Sequence, residues 1–201
     1  MEKKQIILYG GSFDPIHLAH VQTVTLLKST FPEAKICVLP GQNRLKDRSL
    51  FSIFMRVNWV KKVFANQDNI EVLDWSLTVD TSSTYEIYLK LKKQHPSVQI
   101  LICSGDDVLN TLKQWKHFDK IKSELNWIFL IRKNGEIISK YRSDPELNGL
   151  INRAKIMSNQ PNPISSTQIR NDFYESLPLI PLSIREDVKL EYSKLNKISK
   201  T

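Results

Sequence analysis

Short apolar runs alternate along the chain with longer segments of helical period. Gln5–Tyr9 carries Ile6-Ile7-Leu8-Tyr9 without a polar break, the pattern of a strand covered on both faces. From Asp14 to about Ser29, Val21, Val24 and Leu27 recur at helical spacing. Lys35–Leu39 predicts a second strand, closed by Pro40-Gly41, and residues 41–49 are polar and basic, hence a loop. Phe51–Ala65 predicts an amphipathic helix with Phe54, Val57, Trp59, Val60 and Phe64 on its apolar side. Ile70–Trp75 reads as a strand. Thr84–Gln94 reads as a helix whose apolar side is Tyr85, Tyr88, Leu89 and Leu91, stopped before Pro96. Val98–Cys103 is the strongest strand, Asp106–Lys122 a helix with a break near Trp115, and Trp127–Ile131 a further strand. Residues 132–149 are polar and irregular, Ala154–Met157 is a short strand, and Thr167–Tyr174 and Ile184–Leu195 are closing helices.

Alternation of this kind predicts an α/β fold with a doubly wound, mostly parallel sheet. Ligands of such sheets bind beyond the carboxyl ends of the strands, so residues that follow a strand matter most. No internal repeat or low-complexity linker divides the 201 residues. A single domain over 1–201 is expected, with the helices from about 165 packing on it.

Composition narrows the function classes. Hydrophobic residues are 41% and charged residues 25%, an ordinary globular balance that excludes a disordered or collagen-like chain. No run approaches the ~20 apolar residues of a membrane span. No secretory apolar stretch follows Met1-Glu2-Lys3-Lys4. The expectation is a cytoplasmic protein with no membrane partner. Cys37 and Cys103 sit inside apolar runs, away from metal-ligand spacing, and are expected as buried reduced thiols. The net charge of +8 invites a polyanionic partner, but the lysines are scattered and read as solvated faces. No aromatic–basic stacking pattern points to RNA or other nucleic acid.

Two constellations carry chemistry. After the first strand comes Gly10-Gly11-Ser12-Phe13-Asp14-Pro15-Ile16-His17-Leu18-Ala19-His20. Paired glycines allow a tight turn and close approach of a ligand. Asp14 is placed to cap a helix, with Pro15 in its first turn. His17 and His20, three apart, share a helix face near an N-terminus that favours an anion. Two histidines without a nearby third ligand do not make a metal site, and the Gly-x-Gly-x-x-Gly dinucleotide fingerprint is absent.

The second constellation is Pro161-Asn162-Pro163-Ile164-Ser165-Ser166-Thr167-Gln168-Ile169-Arg170. Ser165 and Gln168 have capping-box spacing, and Ile164 and Ile169 are placed as a hydrophobic staple. Arg170 then falls near the start of a helix, where the dipole disfavours a cation unless an anion is bound. On that reading, removing Arg170 leaves the stability of the ligand-free chain unchanged or slightly higher. Two helix N-termini, two histidines and an arginine suit a polyphosphate.

These two segments resemble the signature motifs of bacterial nicotinate-nucleotide adenylyltransferases, a Rossmann-like nucleotidyltransferase family. Between them, Gly105-x-Asp107 followed by Trp115 resembles the family's central nucleotide-binding segment, Arg132 its basic position, and the stretch at Thr84 the part that meets the pyridine nucleotide. The resemblance implies adenylyl transfer from ATP to nicotinate mononucleotide with Mg2+, and no covalent enzyme intermediate. It implies that His17 and His20 contact the reacting phosphates and that Ser166, Thr167 and Arg170 hold the leaving pyrophosphate. Gly10, Gly11, Ser12 and Phe13 would approach ATP closely, joined by Lys46, Gly105, Asp107, Ile164 and Ser165. Ser12, Phe13, Thr84, Trp115 and Arg132 would meet the mononucleotide.

The chain departs from the family pattern in places. Ala19 stands where glycine is usual, Gln42-Asn43-Arg44-Leu45-Lys46 replaces Pro-Pro-His-Lys with Lys46 keeping its place, Ser83 replaces a tyrosine, and Asp106 a small neutral residue. Adjacent positions at a helix start cannot both point inward, so Asp107 is expected toward the ligand and Asp106 away. The alternatives are nicotinamide mononucleotide as substrate, another nucleotidyltransferase of the same superfold (phosphopantetheine or cytidylyl transfer), and a non-enzymatic nucleotide sensor.

Overall fold

The uninterrupted apolar runs become strands because both faces of the sheet are covered. A computed structural model describes residues 4–41, 49–77, 83–131, 135–158 and 164–198. Its strands are β1 (Gln5–Gly11), β2 (Lys35–Pro40), β3 (Ile70–Val72), β4 (Gln99–Gly105), β5 (Asn126–Ile131) and β6 (Lys155–Ser158). They pair in parallel in the order β3-β2-β1-β4-β5-β6. The helices are α1 (Leu18–Thr30), α2 (Ile53–Val63), α3 (Thr84–Gln94), α4 (Phe118–Glu124), α5 (Glu136–Arg142), α6 (Asn148–Arg153), α7 (Ser166–Asn171), α8 (Phe173–Ser176) and α9 (Arg185–Ile198). Among the described residues no helix is long and apolar enough to cross a membrane.

Strand residues alternate between two cores, as a period of two demands. Ile7, Tyr9, Ile36, Val38, Leu101, Cys103, Ile128 and Leu130 face one side. There they meet Val24 and Leu27 of α1, Trp59 and Val60 of α2, Ile169 of α7 and Val188 of α9. Ile6, Leu8, Cys37, Leu39, Ile100, Ile102, Trp127 and Phe129 face the other. They meet Leu91 of α3, Ile121 of α4, Ile138 of α5, and Leu150 and Ile151 of α6. The chain winds outward from β1 to β3, then returns to β4. The winding direction therefore reverses between β1 and β4, and sheets of this kind bind ligands in the crevice at the carboxyl ends of such a point.

Several predicted elements differ from the observed ones. Residues 132–149 are not irregular throughout: α5 and the start of α6 fall among them, seated by Ile138, Leu147 and Leu150. The helix predicted over Asp106–Lys122 is two 3-10 segments, Asp106–Asn110 and Leu112–Gln114, followed by α4. The break after Trp115 comes at His117, whose φ of 66° is left-handed. β3 is shorter than predicted, and Trp75–Leu77 is a 3-10 turn. The apolar face of α2 is rotated from the one predicted. Phe54 is 61% exposed, whereas Arg56 is 1% exposed.

Cys37 and Cys103 are free and buried, as the sequence implied. Burial pushes the Cys37 thiol up to about 12, with the Glu71 carboxylate adding in the same direction. Burial alone pushes Cys103 up. Since the thiolate is the reactive form, neither cysteine should react with an aromatic disulfide reagent in the folded chain at mildly alkaline pH. Both should react once guanidinium chloride unfolds it. Rapid labelling of the native protein would contradict this packing.

Candidate active site

β1 ends in the paired glycines at the crevice. The Gly11 carbonyl accepts from the Gly41 amide at 2.8 Å, which prolongs the β1–β2 ladder. A Cβ on Gly11 would stand 3.1 Å from the Phe13 ring, so a side chain there would have to displace that ring. At Gly10 a Cβ would meet nothing within 4 Å, and packing makes no such demand. Phe13 adopts a φ of 48°, unusual for a residue with a side chain. Its ring is 1% exposed and lies 5.6 Å from Tyr9 and 4.8 Å from His20, centroid to centroid.

Asp14 does not cap α1, and Pro15 does not lie in its first turn. The helix begins at Leu18 with His17 as its N-cap, and the Asp14–Pro15 peptide is cis. The Asp14 carboxylate, 2% exposed, accepts instead from the backbone amides of Leu50 at 2.8 Å and Phe51 at 2.9 Å. It thus joins the first loop to the segment that leads into α2.

His17 and His20 share one face, as their spacing implied. Their rings stack at 3.7 Å between centroids and 26° between planes. The His17 amide donates to His20 Nδ1 at 3.2 Å. A neutral ring whose Nδ1 accepts carries its proton on Nε2, so His20 holds an Nε2–H donor. The first turn of α1 contains no acidic side chain. Its N-terminus therefore keeps the positive end of the helix dipole available to an anion.

The second segment docks on the first. Ser165 caps α7, its hydroxyl accepting from the Gln168 amide at 3.1 Å, as the spacing predicted. Ile164 and Ile169 pack into the same core. Ser166 Oγ donates to the Pro15 carbonyl at 3.0 Å. Arg170 Nη1 donates to the Asp14 carbonyl at 2.7 Å and lies 3.5 Å from the Asp14 carboxylate. Its Nη2 donates to Thr167 Oγ1 at 3.2 Å. Because α7 spans only Ser166–Asn171, Arg170 falls in its last turn, where the dipole favours a cation. That corrects the expectation of a repulsive position.

Gly10, Gly11, Ser12, Phe13, His17, His20, Ile164, Ser165, Ser166, Thr167 and Arg170 are thus brought together on the side of the sheet covered by α1, α2 and α7. Gly105 ends β4 beside β1, and Asp107 is partly exposed just beyond it. Asp106 is away from any open surface but not turned to solvent: it is 0% exposed, enclosed beneath its 3-10 turn. Thr84 and Trp115 belong to the opposite side. Thr84 starts α3, and Trp115 packs 6.3 Å from Trp127, its indole N–H donating to Thr111 Oγ1 at 3.3 Å. Lys46 and Arg132 lie outside the described residues.

Sequence reasoning missed Arg56. Its Nε donates to the Phe51 carbonyl at 3.1 Å, and its Nη1 to the carbonyls of Ser12 and Gly41. The one available signal was an arginine one position before Val57, three before Trp59 and four before Val60, the phase of the buried stripe.

Comparison with known proteins gives a consistent result. The cytidylyltransferase-like family profile matches residues 8–172. A probable nicotinate-nucleotide adenylyltransferase of Leptospira borgpetersenii serovar Hardjo-bovis (strain JB197) is 30% identical over 199 residues, covering 95% of this chain and 94% of that one. A relative of the same name in Helicobacter hepaticus is 25% identical over 210 residues, covering 93% and 95%. Among solved structures, the Plasmodium falciparum nicotinic acid mononucleotide adenylyltransferase complexed with NaAD superposes with a TM-score of 0.74 at 24% identity. The match covers 94% of this chain and 98% of that one, and it shows the shared fold.

The docking geometry predicts stability effects. Asp14→Ala strands the buried Phe51 amide and the half-buried Leu50 amide and should cost about 2–4 kcal/mol. Arg170→Ala should cost about 1 kcal/mol, since the arginine side chain is itself only partly buried. Denaturant unfolding of the ligand-free variants measures both. A gain of stability in Arg170→Ala would restore the repulsive-dipole reading.

Proposed function

The chain belongs to the cytidylyltransferase-like family and, within it, to the nicotinate-nucleotide adenylyltransferases. From that premise we propose that it transfers the adenylyl group of ATP to nicotinate mononucleotide, forming the dinucleotide and releasing pyrophosphate. One observation carries the site assignment: Ser166 and Arg170 dock on the carbonyls of Pro15 and Asp14, which puts the second motif beside the stacked histidines. A phosphate oxygen of the mononucleotide attacks the α-phosphorus of ATP in line. The bond from that phosphorus to the oxygen bridging the β-phosphate breaks, and pyrophosphate leaves with the electron pair. Nothing on the enzyme is acylated or phosphorylated, so catalysis is positioning plus stabilisation of charge.

His20, through Nε2–H, and His17 at the start of α1 donate to the α-phosphate as charge moves through it. Arg170 and Thr167 meet the leaving pyrophosphate with donors not used on Asp14. Gly10 leaves room for the triphosphate to lie against the backbone, and Ser12 and Phe13 meet both substrates. Gly105 and Asp107 take the adenosine side. Thr84 and Trp115 approach the pyridine ring from the other side of the sheet, and the resemblance assigns Arg132 to the mononucleotide and Lys46 to ATP. Asp106 has no exposed surface, so its carboxylate makes no direct contact with the pyridine ring.

Mg2+ is held by substrate phosphates and one or two carboxylates in sites of this kind. Among the described residues no three His, Cys, Asp or Glu side chains converge on a resident metal. A cation carried in on ATP would be held by the substrate phosphates, and Mg2+ there would supply neutralisation of phosphate charge. We read residues 1–201 as one nucleotidyltransferase domain working in the cytoplasm, where ATP is.

Pyrophosphate release with ATP and each pyridine mononucleotide tests this reading. Nicotinate mononucleotide should be the better substrate, and no release with either would overturn the assignment. His20→Ala should lower kcat by about 100-fold, as for one lost oxyanion-type donor, while the chain stays folded. Wild-type turnover in that variant would remove His20 from the chemistry. Gly10→Ala separates ligand from packing. Its stability should match or slightly exceed wild type, yet KM for ATP should rise because the added methyl enters the space of the nucleotide. Unchanged KM would place the triphosphate elsewhere.

A further inference from the structure

Arg56 carries a charge at 1% exposure on a helix outside both signature motifs. Burial pulls its affinity for a proton down, and the nearby Asp14 carboxylate opposes that. A methionine would fill the same place without taking a charge out of water, and buried charges are often no more stabilising than apolar substitutes. What methionine cannot do is hold the carbonyls of Ser12, Gly41 and Phe51 with one planar fork.

The consequence for the crevice follows from peptide geometry. In a planar trans peptide the C=O and the following N–H point to opposite sides. The Gly11 carbonyl is held on the β2 side by the Gly41 amide, so the Ser12 N–H points toward the β4 side, where the crevice lies. The Ser12 carbonyl is held by Arg56, so the Phe13 N–H points away from α2. Phe13 itself sits at a φ of 48°, a conformation that persists only when its surroundings over-determine it. The grip on the preceding carbonyl and the buried ring do so here.

We propose that Arg56 is a positioning residue for adenylyl transfer: by fixing the Ser12–Phe13 peptide it aims two successive backbone donors at the phosphates. Arg56 touches neither substrate. It acts through the loop, and this role rests on the adenylyl-transfer reading.

Arg56→Met and Arg56→Lys, compared with wild type by thermal melting and by steady-state pyrophosphate release, test the role. Donors aimed at developing charge are felt in kcat more than in KM. The folded Met variant should therefore lose about 100-fold in kcat, with a far smaller change in KM for ATP. Lysine keeps a cation but not the fork, and should recover part of that loss, remaining about tenfold below wild type. Wild-type kcat in a folded Met variant overturns the proposal. If only the Lys variant folds, wild-type kcat there overturns it equally. Failure of both to fold assigns Arg56 to the fold alone and also overturns it. A wild-type chain that releases no pyrophosphate overturns the adenylyl-transfer reading instead. Arg56 is then judged by calorimetric titration with inorganic pyrophosphate: binding about tenfold weaker in the folded variant supports the positioning role, and unchanged binding overturns it.

Discussion

The buried carboxylate of Asp14 is the constraint on which the site depends. At 2% exposure it needs partners, and it finds them in two backbone amides before α2 and in the guanidinium of Arg170. An ionised group left in that position without partners would cost several kcal/mol. The carboxylate therefore draws three stretches of chain to one point: the loop after β1, the entrance to α2 and the last turn of α7. Because it faces these partners, it cannot serve as the N-cap of α1. That duty falls to His17 three residues on, and the same shift puts both histidines at the start of the helix.

Much of this was legible in the sequence where one period dominated. The runs at Ile6–Tyr9 and Ile100–Cys103 read as central strands because every residue is apolar, and both cores confirm why. The spacing of Ser165 and Gln168 gave the cap of α7 correctly, and the pair of histidines gave a shared face. Failures came where a polar side chain does the work of burial. Arg56 occupies the inward phase of α2 and Phe54 the outward one, the reverse of their hydrophobicities, because backbone carbonyls converge on the arginine. Asp14 looked like a cap for the same reason: its short carboxylate suits a cap, and only tertiary contacts at residues 50 and 51 divert it. In α5 and α6 the charged residues masked Ile138, Leu150 and Ile151, which seat them against the sheet.

The candidate residues divide across the sheet, and the topology explains why both groups can serve one reaction. His17, His20 and Arg170 belong to elements on one face, Thr84 and Trp115 to elements on the other. At a point where the winding direction reverses, the adjacent loops leave in opposite directions and the crevice between them is reached from both faces.

That arrangement also assigns the tolerances of the site. Side chains on the phosphate-facing side are bound to the fold through backbone carbonyls: Ser166 to Pro15, Arg170 to Asp14, Arg56 to Ser12. A backbone carbonyl is present whatever the side chain, so the acceptor of the Arg56 contact survives substitution at Ser12. In the proposed reading, specificity for the pyridine ring falls instead to side chains of α3 and the 3-10 turns beyond β4. Here Ser83 caps α3 through its own hydroxyl, and Asp106 is enclosed rather than presented. Departures from the family pattern at Ser83 and Asp106 therefore alter how the far wall is built, while the charge-handling side keeps its backbone anchors.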